Sequence, residues 1–271
     1  MMIQEIGEHR FDNVYQKQIA DKECILMCFV DGKILARYDA AEKRLIYPCC
    51  EEEDLIYLFK VDEKKYFLKI KEDNDTEYDL FSMRDLMNLE LKENLDIFAA
   101  YSAYHLYVWY SVNRYCGRCG KTMVHDEIER AMVCPHCGNR VYPRINPAVI
   151  IGVKNGDKLL LTKYKSGFAH NALVAGFTEF GETLEETVRR EVKEETGLNV
   201  KNIRYYKSQP WGIAQDILAG YYCEVDGDDR IRMDDHELKY AEWVKREDIV
   251  LQPKRYSLTN EMMERFKNGE E

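Results

Sequence analysis

Residues 176–198 read GFTEFGETLEETVRREVKEETGL, and the placement of their acidic side chains decides how the rest of the chain is understood. Thr183 and Glu186 stand in the S/T-x-x-E relation of a capping box, which predicts a helix beginning at Leu184. Gly197 supplies its C-terminal stop. At about 100° per residue, Leu184, Val188 and Val192 fall on one stripe within about 40° of Val188. Glu195 lies about 20° from Val188, inside that apolar stripe, and Glu191 lies at its edge, about 60° away. A carboxylate facing a core is costly unless it is paired or holds a metal. Glu194 and Glu195 also occupy the last turn, where the helix dipole disfavours negative charge. A solvated face explains Glu185 and Glu186 but not Glu195. Oxygen ligands at this spacing suit Mg²⁺ or Mn²⁺ carried by substrate phosphates.

A second metal pattern lies upstream. Cys116 and Cys119 are separated from Cys134 and Cys137 by fourteen residues. Two CxxC knuckles present four thiolates, which suits tetrahedral zinc. Gly117, Gly120 and Gly138 are expected to make the tight turns around the sulfurs. Four protein ligands leave no open coordination position, so this zinc is read as a structural clip rather than a catalytic centre. An RNA-binding ribbon would carry a broader basic footprint than the few arginines and lysines nearby.

The bulk numbers set limits on function. A chain of 271 residues is long enough for more than one core. No run of about 18 apolar residues is present, and the start lacks a signal-peptide pattern, so a cytoplasmic location without membrane spans is expected. The formal net charge of −10 argues against broad electrostatic binding of nucleic acid. Nine cysteines, an odd number with four in CxxC pairs, read as metal ligation in a reducing compartment.

Along the chain, residues 1–95 read as a β-rich N-terminal domain. "ECILMCFV-DG-KILARYD" predicts a hairpin turning at Asp31-Gly32. Residues 96–143 read as a helix followed by the four-cysteine ribbon, with His105 in a tyrosine-rich packing face. Residues 144–271 form the third part, opening with a hairpin expected to turn at Asn155-Gly156. The fold class is α+β.

The 176–198 segment also carries a resemblance. From Gly176 there follow five residues, Glu182, seven residues, Arg190-Glu191, aliphatic Val192, one residue, Glu194-Glu195, one residue, Gly197 and Leu198. This matches the Nudix box at each defined position, and the domain is similar to Nudix hydrolases. The order of β-rich domain, ribbon and box, with "SQPW" at 208–211, resembles the NADH pyrophosphatase group. That group continues its motif with Pro-Phe-Pro, one residue and Ser, where this chain reads "GIAQD".

The resemblance implies an α/β/α sandwich for the C-terminal part and cleavage of NADH or NAD⁺ to NMN(H) and AMP, extending to NAD caps on RNA 5′ ends. It implies Glu191, Glu194, Glu195 and Glu237 as ligands for Mg²⁺ or Mn²⁺, with Glu195 the general base. Glu182 and Arg190 are implied to hold the box loop through an ion pair. Phe177, Gln209, Trp211, Tyr142 and Ile150 are implied near the dinucleotide, and a homodimer is common in the group. Two alternatives stay open: a Nudix hydrolase of another nucleoside diphosphate such as ADP-ribose, and a non-catalytic zinc-ribbon regulator that senses a nucleotide.

Overall fold

Asp31 and Gly32 both adopt positive φ, 46° and 76°, and Val30 pairs with Lys33 across them. That is the two-residue turn whose twist matches the flanking strands. In the computed structural model, which describes residues 2–49, 55–70, 77–165, 170–253 and 256–271, this hairpin joins β2 (Ile25–Val30) to β3 (Lys33–Asp39). They belong to a seven-stranded sheet with β1 (Phe11–Asp12), β4 (Arg44–Ile46), β5 (Ile56–Val61), β6 (Lys64–Ile70) and β7 (Asp79–Phe81). The strand order is β1-β5-β6-β2-β3-β4, with β7 on β3, and only β2 and β6 run parallel.

A short helix, α1 (Met83–Leu86), precedes the long α2 (Leu95–Val112). Ala99, Ala100 and Ala103 are fully buried, and these small side chains let α2 lie close to the sheet. Phe29 of β2 stacks on Tyr107 of α2 at 4.5 Å between ring centroids. The tyrosine-rich face is thus packing, and His105 is satisfied through Nε2 by the Arg144 carbonyl at 2.7 Å. The ribbon follows as a three-stranded sheet of β8 (Val124–His125), β9 (Met132–Val133) and β10 (Arg140–Val141).

The chain divides into two compact units. One holds Gln4–Arg144 together with Gly212–Gln215; the other holds Met1–Ile3, Ile145–Trp211 and Asp216–Glu271. The second is built on a six-stranded sheet ordered β14-β15-β11-β12-β16, with β13 on β11. Its strands are β11 (Asn146–Asn155), β12 (Lys158–Tyr164), β13 (Val174–Phe177), β14 (Val200–Trp211), β15 (Asp216–Val225) and β16 (Leu238–Lys245). The β11–β12 turn differs by one residue from expectation. Asn155 pairs with Lys158, so the loop is Gly156-Asp157, and Gly156 alone carries the positive φ. A glycine in the first loop position selects the turn type that needs only one such residue.

β11 is almost continuously apolar because both its faces are covered. On one side Val149, Ile151 and Val153 pack with Val188 and Val192 of α3 (Leu184–Thr196). On the other, Ile150, Leu159 and Leu161 pack with Met262, Met263 and Phe266 of α4 (Leu258–Lys267). This is the expected α/β/α sandwich. Among the described residues no helix is long and apolar enough to cross a membrane.

The loop of residues 212–215, where the motif departs from its group, has a steric reason for its first residue. A Cβ on Gly212 would sit 2.1 Å from the Tyr101 carbonyl oxygen of α2. Gln215, which holds φ at 61°, donates from Nε2 to the His105 carbonyl and accepts from Arg144 at 2.9 Å. Gly212→Ala is therefore expected to destabilise the protein by about 1–3 kcal/mol, the usual cost of overpacking. At roughly 2–4 °C per kcal/mol the thermal midpoint falls measurably. Gly117→Ala, whose added Cβ would meet nothing within 4 Å, is the control and leaves the midpoint unchanged in the same calorimetric scan.

Candidate active site

The glutamate helix is set at both ends by local bonds. The Thr183 hydroxyl accepts from the Glu186 N–H, and the Glu186 carboxylate accepts from the Thr183 N–H at 2.7 Å. Gly197 ends the helix with φ at 72°. Beyond it, the exposed C-terminal carbonyls are taken up by the returning chain. The Arg232 N–H donates to the Thr196 carbonyl, and the Asp234 N–H donates to that of Glu195. This return brings Glu237 toward the end of α3, and the Glu237 carbonyl in turn accepts from the Lys165 N–H at 3.0 Å.

Glu195 is only 3 % exposed, as its place in the apolar stripe requires. The Tyr164 hydroxyl, at the end of β12, lies 3.0 and 3.3 Å from its two carboxylate oxygens. Burial is the main cause that raises the Glu195 pKa, to about 8; the nearby charges of Glu191 and Glu237 push the same way, and Tyr164 with the Ala175 N–H pulls it down. Burial likewise raises Glu191, against the opposing effect of Arg190. Three acids that repel one another in a half-dry space are a site prepared for positive charge.

Arg190 organises the remaining acids. Its Nε and one terminal nitrogen meet the two oxygens of Glu182 at 2.6 and 2.9 Å, a two-point pairing. That pair, with the Glu179 N–H and Thr187 hydroxyl, holds Glu182 down near a pKa of about 2. The other terminal nitrogen donates to Glu191 at 2.7 Å and to Glu194 at 3.0 Å, and the guanidinium also reaches the Phe177 carbonyl at 2.8 Å. The expected Glu182–Arg190 ion pair is present, and it extends to both outer acids. Gly176 has a matching requirement, because a Cβ there would lie 2.0 Å from the Glu191 carboxyl. A glycine at this point of β13 is what lets the Glu191 side chain lie over the strand.

The cysteines converge more tightly than the glutamates. All four sulfurs lie within 4.8 Å of one another, with the closest pairs at 3.5 and 3.6 Å. Tetrahedral zinc with Zn–S bonds of about 2.3 Å would place sulfurs roughly 3.8 Å apart, so the four thiols fit that ion. Each knuckle closes the same way, with Gly120 N–H on the Cys116 carbonyl and Gly138 N–H on that of Cys134. Gly120 and Gly138 share φ of 71°, whereas Gly117 takes no left-handed φ; its expected turn role falls to the later glycine of the knuckle. Among the described residues no other group of His, Cys, Asp or Glu converges this closely. Glu191 and Glu194 are held by Arg190, and Glu195 by Tyr164.

The residues expected around a dinucleotide divide into two sets. Phe177 is 53 % exposed at the end of β13, and Trp211 is half-buried at the end of β14. Tyr142, in the N-terminal unit, is also exposed and donates to Glu129 at 2.9 Å. Gln209 and Ile150 are engaged within the protein. Both ends of the Gln209 amide are consumed, by the Tyr256 carbonyl and the Leu258 N–H, each at 2.8 Å. Ile150 points to the α4 face, opposite the glutamate helix, because side chains alternate along β11 and Val149 and Ile151 take the α3 face. Tyr164 was absent from the expected set. The alternation Leu160, Thr162, Tyr164 along β12 places it on the α3 face, but its partner Glu195 is 31 residues away in sequence.

Comparison with known proteins agrees with this geometry. Residues 144–266 match the NUDIX domain, and residues 112–142 match the NADH pyrophosphatase zinc ribbon domain. The chain is 38 % identical over 180 residues to the NAD-capped RNA hydrolase NudC of Escherichia fergusonii, covering 65 % of this chain and 67 % of that protein. It is 43 % identical over 148 residues to the protein of the same description from Shigella flexneri, covering 54 % and 56 %. The chain thus spans two thirds of the first relative and little more than half of the second. The crystal structure of a NUDIX hydrolase from Nitrosomonas europaea shares the fold, with a TM-score of 0.51, 20 % identity, and coverage of 57 % of this chain and 90 % of that one. A complete box on a helix buried against the sandwich, joined to this ribbon, places the chain in the Nudix hydrolase family, in the group that carries the NADH pyrophosphatase zinc ribbon.

Proposed function

We propose that the protein hydrolyses the pyrophosphate bond of NAD⁺ or NADH to NMN(H) and AMP, and that the same reaction removes NAD caps from RNA 5′ ends. The observation that carries this reading is Glu195, buried beside Glu191 and Glu237 and oriented by Tyr164, within a box complete at each position. The substrate follows from the relatives, whose description is NAD-capped RNA hydrolase, and from the ribbon they share with this chain.

Glu191, Glu194, Glu195 and Glu237 would hold Mg²⁺ or Mn²⁺, hard ions suited to carboxylate oxygens. Such ions, when bound, supply positive charge that lowers the pKa of water and offsets repulsion between acids and phosphates. Glu195 accepts the proton of the attacking water as its oxygen bonds to one phosphorus. The bridging P–O bond breaks, and the departing phosphate keeps the electron pair. Arg190 and Glu182 keep the box loop and the outer acids in register, and Phe177 and Trp211 offer aromatic faces for a base or nicotinamide. The four cysteines hold zinc as a brace. A cytoplasmic, homodimeric protein is part of the same reading. A second reading, hydrolysis of ADP-ribose, is favoured by the Gly-Ile-Ala-Gln stretch at 212–215, where the group's motif is lost.

Product analysis with NADH, NAD⁺, ADP-ribose and NAD-capped RNA, in Mg²⁺ or Mn²⁺, tests the assignment. NMN(H) and AMP should form with the highest kcat/KM on NAD(H); a preference for ADP-ribose would establish the second reading instead. Glu195→Gln should reduce kcat by about 10²–10⁴, the range for loss of a general base. Undiminished turnover by this variant would remove Glu195 from that role.

The raised pKa of Glu195 also sets a stability slope in protein freed of divalent cations. Between about pH 4.5 and 8 the unfolded chain has ionised this carboxyl while the folded protein keeps its proton, so unfolding releases a proton and stability falls as pH rises. The contribution is complete below the unfolded pKa and gone above about pH 8. Glu195→Gln should flatten the thermal midpoint against pH over this window. For the ribbon, elemental analysis should find one zinc per chain, lost in Cys134→Ser, and a strong zinc chelator should lower the thermal midpoint of the parent protein.

A further inference from the structure

The N-terminal unit contains a cavity of about 630 Å³ that has no part in the chemistry described above. It opens between β4, the β5–β6 turn and the first turn of α2, and its volume is within the range of about 300–1,000 Å³ usual for small-ligand sites. Its floor is apolar and aromatic, formed by Ile25, Leu45, Tyr47, Val61 and the ring of Tyr66.

Two polar groups on this floor are left over by the protein's own bonding. Tyr66 is only 4 % exposed, yet its hydroxyl has no hydrogen-bond partner among the described residues. Asp96, in the first turn of α2, accepts from the Leu45 N–H at 2.7 Å through one oxygen, and its other oxygen has no partner among them. Neither group belongs to an ion pair that would explain its position. The Tyr47 hydroxyl, by comparison, is satisfied by the Asp96 carbonyl at 2.7 Å.

The mouth is built differently. Arg44, Lys64 and Lys92 are exposed at the rim and make no ion pair among the described residues, whereas Lys43 is already bound to Glu90 and His9 to Asp62. Acidic side chains stand between them, so the cavity does not select for charge alone. It presents an acceptor and a hydroxyl at the base, a flat apolar wall, and unpaired cations at the entrance. A ligand that matches all three has donors at one end, a planar body and an anionic group at the other. Asp96 and Tyr66 suit an exocyclic amine or a ribose diol, and the rim cations suit a phosphate.

We propose that this cavity is an accessory binding site for a nucleoside monophosphate unit, separate from the active site. The unit is either a free mononucleotide or one residue of an RNA chain. The proposal stands independently of which dinucleotide the active site cleaves.

Photolabelling of the full-length protein with 8-azido-AMP, followed by peptide mapping, tests it. Label is expected on peptides spanning residues 42–47 and 61–66, protected by excess AMP and reduced at least tenfold in Arg44→Glu/Lys64→Glu. These two side chains are at the surface, so the double variant should keep the parent's thermal midpoint and its NAD(H) turnover. Tyr66→Phe, which removes only the hydroxyl, should weaken protection by AMP without affecting folding. Stronger protection by AMP than by a 5′-phosphorylated tetraadenylate identifies a free nucleotide as the occupant; the reverse identifies an RNA chain. Label confined to the Nudix unit, label indifferent to the double variant, or equal protection by adenosine without a phosphate would each overturn the proposal.

Discussion

The interaction on which the active site depends is the burial of one carboxylate at the end of α3. Glu195 sits in the stripe that α3 packs against the sheet, and Tyr164 is its neutral neighbour. Without that hydroxyl, the buried carboxylate would keep only the Ala175 N–H as a donor among apolar groups and other acids. The cost of burial appears as a pKa raised far from the ordinary carboxylate range. The rest of the site is arranged around this one costly group. Gly176 makes room for Glu191, and the chain returning after the helix brings Glu237 near and caps the last carbonyls.

Arg190 does the opposite work. It gathers Glu182, Glu191 and Glu194 and the carbonyl of Phe177 around one guanidinium, so that the box loop, the helix and β13 share a single polar junction. Planar, five-donor geometry makes this possible where a lysine could satisfy fewer partners at fixed angles. The two metal patterns of the chain therefore differ in kind. Four thiols already converge at distances that suit zinc, while the carboxylates are engaged by partners with which any divalent ion would have to compete.

The departure at residues 212–215 is an instance of sequence following local space. The glycine that replaces the group's proline lies against a helix carbonyl, and Gln215 ties the loop to His105 and Arg144. The loop belongs to the N-terminal unit although the strands on either side of it belong to the other. The stretch is here tied into the packing of α2.

Much of this was legible from the residues alone. The capping box, the helix limits, the inward position of Glu195, the four-cysteine cage and both hairpins depend on spacing within a few residues, or on a pattern that repeats with the helix period. Local geometry is enough to determine such features. Other features required the tertiary structure. Tyr164 meets Glu195 across 31 residues, Gly156 rather than Asn155 takes the left-handed turn, and Gln209 spends its amide on the start of α4. Ile150 faces away from the glutamates because it alternates with Val149 along a strand covered on both sides. Hydrophobicity and spacing say that a side chain is buried or turned inward. Which partner it meets there depends on strand order and on the packing of α3 and α4 over opposite faces, and these are decided only when distant segments come together.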